Sequence, residues 1–262
     1  FEIVIGDDPT VTPSVENITY FPGNEADGTS EYLGIYTAAG LKTYRDIING
    51  TLTEDLTIHG DNNAQRTFSS GAIYSINAKL MSQVQVSNWV PIGVYNSTYK
   101  TYFTFDGNGK TITVNDVDST DPIYDGSTND YAGLFGYVGN GTIDTGVIIK
   151  NLTVAGTISS STARYVGGIV ACANGVTIEN CVNNATVQGS NPEPSSAYSF
   201  AVGGIVGYAE GSCKVINSVN NGGVLNTNNA DYSGTAGIVG LVATDNVNID
   251  NCINLGNITG QD

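Results

Sequence analysis

Histidine, tryptophan and basic residues are scarce in this sequence. Its 262 residues include one His, one Trp and nine Lys or Arg against 25 Asp or Glu, which gives a formal net charge of -16 at pH 7. A chain this acidic repels nucleic-acid phosphates and anionic lipid, so we expect neither as a partner. A catalytic pair built on histidine is not expected, and His59 is interpreted as a solvent-facing strand residue.

Long apolar runs are missing as well. Apolar stretches are four to six residues long, too short for a membrane-spanning helix, and Phe1 opens no signal-peptide pattern, so we expect any leader to have been removed already. Zinc is not expected either, because the chain has four cysteines, one histidine and no Cys-x-x-Cys pair. These absences leave a globular protein without a predicted metal site.

What the sequence has instead is a repeated phrase. VGGIVACANG at 166–175 returns as VGGIVGYAEG at 202–211, with weaker copies YAGLFGYVGNG at 131–141 and TAGIVGLVATD at 235–245. The aligned glycines, separated by 35, 36 and 33 residues, are Gly133, Gly168, Gly204 and Gly237. Steps of this size are typical of repeat architectures.

A second phrase follows each copy and carries an asparagine at a fixed place. The phrases are IKNLTVAGTI, IENCVNNATV, INSVNNGGV and IDNCINLGNI, and their asparagines are Asn151, Asn180, Asn217 and Asn251. The clear copies therefore span about 131–158, 165–187, 201–224 and 235–258. Each copy reads as three short strands separated by Gly or Asn corners.

These units predict an all-β fold, a single-stranded parallel β-helix with three strands per coil and a repeat of roughly 35 residues. Helical repeats need ten-residue stretches of 3.6 periodicity, and propeller blades need four antiparallel strands, so both fit less well. In a β-helix the four asparagines would stack as a hydrogen-bonded ladder, and the paired glycines would allow a sharp corner. The fold prediction covers residues 31–262.

One helix is predicted ahead of the repeats. Residues 38–48 place Leu41, Tyr44, Ile47 and Ile48 on one face, after Thr37 as N-cap and before an Asn-Gly stop. An apolar helix face lying across the end of a solenoid would cover its open core and its unpaired strand edges. We therefore expect an N-terminal capping helix.

Several short runs in this order resemble the GLUG-repeat proteins, surface-exposed or secreted proteins of anaerobic Gram-negative bacteria. The runs are TAAGLKTYRDIINGT at 37–51, NWVPIG at 88–93, FDGNGKTI at 105–112, AGLFG at 132–136 and the VGGIVG copies. The resemblance covers roughly residues 35–260, although Ala171 replaces the last glycine of one copy. It implies a β-helix on the outer cell surface with an adhesin-like role, and it carries over no catalytic residue.

Residues 1–30 lie outside this resemblance. Their Pro, Asp and Gly residues separate short apolar runs, so we interpret them as a linker or the end of a preceding domain.

Four cysteines follow the repeat. Cys181 and Cys252 occupy the same place two copies apart, about 10 Å in a stack with a strand spacing near 4.8 Å, so they are expected as small core residues. Pairing of Cys172 with Cys213 stays open.

Catalysis is the main alternative, because β-helices include polysaccharide lyases and glycosidases. Such enzymes need clustered carboxylates on one face, whereas Glu179, Glu210, Asp245 and Asp250 fall singly along the repeats. We therefore expect a chain that is not an enzyme.

The loop from Asp116 to Asp130 is rich in aspartate. Its oxygen ligands are similar to those of calcium loops, but the EF-hand spacing and terminal Glu are missing. We interpret it as an acidic solvent loop and expect no cofactor, with calcium as the alternative.

Tyrosines offer the best binding candidates, because a tyrosine ring buries area at low entropy cost and can stack on sugars. The candidates near predicted loops are Tyr95, Tyr99, Tyr102, Tyr124 and Tyr131. The alternative is that half of them only pack under loops.

Together these features predict a monomeric, non-catalytic adhesin-like protein, secreted or on the outer surface of a Gram-negative bacterium. A rigid β-helix face would bind a host surface glycoprotein or a polysaccharide. The alternatives are a carbohydrate-active enzyme and a structural spacer.

Overall fold

The structure is a computed structural model that describes residues 17–24, 29–95, 102–117, 131–139, 146–190, 199–227 and 233–260. This part of the chain consists mainly of short strands, most of them paired in parallel, with one α-helix and a short 3-10 turn at Asp61–Asn63. The prediction of an all-β fold with parallel sheets is confirmed.

Short strands precede the repeats. They are β1 (Ile18–Phe21), β2 (Tyr32–Ile35), β3 (Leu56–His59), β4 (Gln65–Phe68), β5 (Asn77–Leu80), β6 (Val84–Val86), β7 (Thr104–Asp106) and β8 (Thr111–Val114). β3 and β4 form an antiparallel hairpin in which His59 is exposed, as the sequence predicted.

The four repeat copies supply the remaining strands. The first copy has β9 (Tyr131–Ala132), β10 (Phe135–Gly139), β11 (Ile148–Lys150) and β12 (Thr153–Ser160). The second has β13 (Tyr165–Gly167), β14 (Val170–Asn174), β15 (Thr177–Glu179), β16 (Val182–Asn183) and β17 (Thr186–Gly189). The third has β18 (Phe200–Gly203), β19 (Val206–Glu210), β20 (Lys214–Ile216), β21 (Val219–Asn220) and β22 (Val224–Asn226). The fourth has β23 (Ser233–Ala236), β24 (Val239–Val242), β25 (Asn248–Asp250), β26 (Ile253–Asn254) and β27 (Ile258–Thr259).

Each strand of a copy pairs in parallel with its counterpart in the next copy. Ile178 of β15, for example, lies opposite Val215 of β20, which in turn lies opposite Ile249 of β25. The longest sheet runs in the order β1-β2-β5-β7-β11-β15-β20-β25. The inward side chains of successive strands build one apolar core that extends from Tyr20 to Val239.

The number of strands per copy differs from the sequence prediction. The second, third and fourth copies each contain five short strands, not three. The Gly-Gly corner divides the predicted first strand, as between β13 and β14, and the asparagine corner divides the predicted second strand, as at Asn180 between β15 and β16. These corners have no regular backbone pattern of their own and do not interrupt the apolar periodicity. The sequence therefore does not show where they divide a strand.

The predicted corner asparagines lie in one column. Asn151, Asn180, Asn217 and Asn251 all have positive φ, between 48° and 54°, a conformation that asparagine tolerates better than most residues. The side-chain amide of Asn180 donates to Asn151 Oδ1 at 3.5 Å, and that of Asn251 donates to Asn217 Oδ1 at 2.6 Å. In this outer column Asn180, Asn217 and Asn251 are exposed to solvent, and Asn151 is half-buried.

A second, buried column of asparagines was not anticipated. Asn183 Nδ2 donates to Asn220 Oδ1 at 2.8 Å, and Asn220 Nδ2 donates to Asn254 Oδ1 at 2.7 Å. Each amide also donates to the carbonyl two residues further along its own copy, as Asn220 does to Gly222 O at 2.9 Å. Asn183 and Asn220 are fully buried, so these bonds satisfy polar groups that water cannot reach.

The repeat glycines pack against this inner column. A Cβ on Gly168 would lie 2.6 Å from Asn183 Cγ, and one on Gly204 or Gly237 would meet Asn220 or Asn254 in the same way. Gly133, in the first copy, is closed in by backbone: its Cβ would lie 2.6 Å from Phe135 O. The repeated phrase therefore requires glycine at this place, because a side chain there would clash with its neighbours.

The helix α1 (Ala38–Asn49) forms where the sequence predicts it, one residue longer. Thr37 Oγ1 accepts from Gly40 N at 3.2 Å, and Gly50 ends the helix with a φ of 71°. Leu41, Tyr44, Ile47 and Ile48 are fully buried, and Tyr44 contacts the rings of Phe103 and Phe105. The amphipathic pattern and both caps depend on residues close together in the sequence, which explains why the sequence alone predicts this helix.

Replacing the N-cap, Thr37→Ala, is expected to lower the free energy of unfolding by about 1 kcal/mol. The substitution removes the acceptor for Gly40 N and the bond that Thr37 Oγ1 donates to Asn17 Oδ1. Thr43→Ala is the matched control, because Thr43 is half-buried within the helix, its hydroxyl donates only to Ala39 O and caps no backbone N–H, and alanine favours helix there. Equal urea denaturation midpoints for the two variants would contradict the capping role.

Part of the segment interpreted as a linker lies in the main sheet. β1 pairs antiparallel with β2, with Tyr20 opposite Leu33, and Tyr20 Oη donates to Glu31 Oε2 at 2.8 Å. Residues 1–16 and 25–28 lie outside the described residues, and the boundary at residue 30 stays a prediction.

Candidate functional site

Tyrosine rings form a continuous row on the outer surface of the repeat sheets. We call this row the tyrosine face, and it consists of Tyr95, Tyr131, Tyr137, Tyr165 and Tyr208. The strand register brings them together: Tyr131 lies opposite Tyr165, while Tyr137 and Tyr208 lie on either side of Cys172. Tyr165, Cys172 and Ala201 are buried, and the partly buried rings of Tyr131, Tyr137 and Tyr208 pack over them.

The rings contact one another in sequence along the face. Tyr95 and Tyr137 meet edge to face with centroids 5.1 Å apart, Tyr137 and Tyr131 follow at 5.7 Å, and Tyr131 and Tyr165 at 6.0 Å. Tyr165 and Tyr208 stack at 4.5 Å with 19° between their planes. Because each ring packs against its neighbours, the side chains of the face are rigid, and they lose little conformational entropy when a ligand binds.

A carboxylate and an amide lie within the tyrosine face. Tyr137 Oη donates to Glu210 Oε1 at 3.0 Å, and Asn174 Nδ2 donates to the same oxygen at 2.9 Å and to Tyr137 Oη at 2.6 Å. We call these three residues the Glu210 network. The second oxygen, Glu210 Oε2, accepts no hydrogen bond from the described residues, so it is available as an acceptor for a ligand.

The hydroxyl groups of Tyr137 and Tyr208 stay protonated at neutral pH. Burial raises the pKa of Tyr137 well above its ordinary value and raises the pKa of Tyr208 to about 12, with a smaller contribution from Tyr165 beside it. The guanidinium of Arg164 lies 5.5 Å from the centroid of Tyr165. The site therefore combines neutral hydroxyl donors, one carboxylate acceptor and one cation on an aromatic surface.

Two of the five predicted binding tyrosines belong to this face. Tyr95 and Tyr131 both contact Tyr137, whereas Tyr102 lies apart beside β7, where it lines an open depression of about 490 Å³ with Asn77 and Phe103. Tyr99 and Tyr124 lie outside the described residues. Sequence reasoning missed Tyr137, Tyr165 and Tyr208, which sit within the repeats and not in loops.

The calcium alternative at the aspartate-rich loop stays a prediction. Asp116 is described, but the rest of that loop, from residue 118 to 130, is not. No group of three or more His, Cys, Asp or Glu residues is placed to hold a metal ion in the described part of the chain.

None of the four cysteines forms a disulfide. Cys172 faces the tyrosines, while the thiol of Cys213 lies in the core and donates to Glu210 O at 3.1 Å. The two therefore point to opposite sides of the sheet, which settles the pairing that the sequence left open. In the same described residues, none of the helices has the length and apolar character needed to cross a membrane.

No protein-family model matches the chain, and no curated protein matches it. A solved structure described as a "putative immunoglobulin A1 protease from Bacteroides ovatus" is similar to it, with a TM-score of 0.56 and 17% sequence identity. The similarity covers 92% of this chain and 69% of that one. At this identity the similarity shows a shared fold and transfers no residue role.

The prediction that the chain is not an enzyme is contradicted by this similarity. A protein described as a protease has the same fold, so the fold does not exclude catalysis. The sequence argument depended on acids that fall singly along the chain, yet parallel pairing places Glu210 against residues 36 and 73 positions away. Spacing in the sequence therefore does not reveal which polar groups meet.

Proposed function

We propose that this chain is a single-stranded parallel β-helix of the GLUG-repeat kind, displayed outside a Gram-negative cell, whose tyrosine face binds a host glycoprotein or a polysaccharide. Each repeat forms one coil of the solenoid, and α1 caps its N-terminal end. The parallel pairing of every repeat strand with its counterpart supports the solenoid. The resemblance in sequence supports the family and the extracellular location.

The tyrosine face is the observation that carries the binding function. A rigid aromatic surface contributes dispersion and buried area, and its hydroxyl groups, Glu210 Oε2 and the Arg164 guanidinium supply hydrogen bonds at fixed positions. Sugar hydroxyl groups both donate and accept, so they complement such a mixture. The flat sides of the tyrosine rings are largely covered by neighbouring rings, so ring edges and hydroxyl groups form the surface that contacts a ligand.

A glycan and mucin binding array tests this proposal. We expect Tyr208→Ala and Glu210→Gln each to weaken binding at least about tenfold, because one removes an aromatic contact and the other weakens the acceptor. Tyr102→Ala is the matched control, since Tyr102 is an exposed tyrosine outside the face. Loss of binding in the control but not in the two face variants would refute the assignment of the binding site to the tyrosine face. If the unmodified protein bound no glycan, the result would favour a structural spacer.

The similarity in fold supports a second candidate, proteolysis of an immunoglobulin. The similar structure is described as an immunoglobulin A1 protease, and Glu210 with Tyr137 is a pair of titratable groups on one outer face. Incubation of the chain with purified immunoglobulin A1 followed by gel electrophoresis tests this candidate. New fragments that disappear with Glu210→Gln would support it, and an intact substrate would leave binding as the function.

A further inference from the structure

The carboxylate of Glu210 lies on an aromatic surface without a counter-ion among the described residues. The ion pairs in that part of the chain join Arg45 to Asp46 and Arg66 to Glu31, and neither involves Glu210. Its Oε1 accepts from two neutral donors, while Oε2 accepts from none of the described residues. Because a half-buried carboxylate is less well solvated than one in open water, a ligand cation at Oε2 would supply the missing pairing.

The strand register places this carboxylate beside the tyrosine rings. Glu210 follows Tyr208 by two residues in β19, and both are partly exposed while Ala209 between them is buried. Their side chains therefore lie on the same outer side of the sheet. Opposite Glu210 in the preceding copy is Asn174, which in turn lies opposite Gly139. The row of Glu210 has smaller side chains than the row of tyrosines next to it, so the rings stand along one side of the carboxylate.

The chain already holds one guanidinium on this face. The guanidinium carbon of Arg164 lies 5.5 Å from the ring centroid of Tyr165, within the distance at which an aromatic ring attracts a cation. The other basic residues of the repeat copies, Lys150 and Lys214, lie in β11 and β20 of the main sheet. The rings of this face therefore accept a guanidinium, and the position beside Glu210 receives none from the described residues.

A guanidinium suits the place beside Glu210 better than an ammonium group or a sugar hydroxyl does. It is planar, so it can pack against aromatic rings while two of its N–H groups donate to a carboxylate, and it is less strongly hydrated than an ammonium. Tyr95 meets Tyr137 edge to face and is 48% exposed, which makes it the most accessible ring of the face. A sugar hydroxyl at Oε2 would leave the charge of Glu210 uncompensated.

We propose that the tyrosine face binds an arginine side chain of a partner protein, whose guanidinium donates to Glu210 Oε2 and packs against the neighbouring rings. This inference rests on the binding function proposed above and narrows the ligand to the polypeptide of a host glycoprotein. The net charge of -16 supports it, because the field of the whole chain attracts cationic partners and repels anionic ones.

A nuclear magnetic resonance titration of the 262-residue chain with two peptides tests the proposal. The probes are acetyl-Gly-Arg-Gly-amide and the same peptide with citrulline, which has nearly the shape of arginine and no charge. We expect the arginine peptide to shift the ring signals of the tyrosine face and to bind at least about fivefold more tightly than the citrulline peptide. Its affinity falls as salt rises, because ions screen the attraction.

The variant Glu210→Gln isolates the charge. Glutamine keeps an oxygen that accepts from Tyr137 and Asn174, so the packing of the face is retained. We expect the arginine peptide to bind this variant at least about fivefold more weakly, and the citrulline peptide to bind it unchanged. Glu179→Gln is the matched control: it changes the net charge equally, from β15 of the main sheet, and leaves both affinities unchanged.

Equal binding of the two peptides would overturn the proposal, and so would an equal effect of Glu210→Gln and Glu179→Gln. The absence of any shift in the tyrosine ring signals would overturn it as well. Glycan binding without a preference for arginine would leave the proposed function standing, with a sugar as the ligand. If the protein bound neither a glycan nor the arginine peptide, both proposals would fail.

Discussion

Replacing Asn220 with leucine is expected to lower the free energy of unfolding by about 3–5 kcal/mol, although leucine is apolar and has the same branched arrangement of side-chain heavy atoms. The carboxamide of Asn220 accepts from Asn183 and donates to Gly222 O and Asn254 Oδ1. Leucine removes all three bonds and leaves the buried amide of Asn183 without one acceptor. Each buried polar group that loses its partner costs about 1–3 kcal/mol, which adds up to the expected loss.

The control for this substitution lies one residue further along. Asn221 also donates to an asparagine of the preceding copy, Asn184, at 2.8 Å, but that bond is exposed. Asn221→Leu is therefore expected to change stability by less than about 0.5 kcal/mol. Urea denaturation followed by circular dichroism measures both variants. Equal midpoints would show that the inner column contributes no more than a solvent-exposed amide pair.

Local sequence signals predicted the helix and the outer asparagine column correctly in position. Thr37, Gly50 and the apolar face of α1 act within a few residues of each other, and Asn151, Asn180, Asn217 and Asn251 stand at equivalent places in an evident repeat. The inner column had a signal too, since Asn183, Asn220 and Asn254 each follow an outer asparagine by three residues. The repeat alone does not reveal this inner column, because one asparagine column already accounts for the period.

The tyrosine face could not be predicted in the same way. Tyr137 and Tyr208 occupy the same place two copies apart, with Cys172 between them, but Tyr165 stands at a different place in its copy, so the repeat alone does not connect all three. Strand register decides which of them meet, and the register depends on the lengths of corners and loops that differ from copy to copy. The Glu210 network has the same origin, because its three members come from three successive copies.

Adding one methyl group at Gly168 is expected to cost about 3 kcal/mol of unfolding free energy, at the upper end of the usual cost of overpacking a core. The Cβ of Gly168→Ala would lie 2.6 Å from Asn183 Cγ and would also meet Gly204 O. Neither neighbour can move freely: the backbone at Gly204 is paired with the next copy, and Asn183 is bonded to Asn220 and Ala185. The strain must therefore spread into the adjacent copies.

Gly223→Ala is the matched control, because its Cβ would have a single neighbour, Asn257 O, at 3.9 Å. Alanine is tolerated there, and the reduced freedom of the unfolded chain makes the change neutral or slightly stabilising. Combining Gly168→Ala with Asn183→Ala separates the two obstacles, since truncating Asn183 removes the side chain that the new methyl group meets. We expect the penalty of Gly168→Ala to fall by on the order of 1 kcal/mol in that background. An unchanged penalty in urea denaturation would mean that backbone contact alone, and not the inner asparagine column, requires glycine in the repeated phrase.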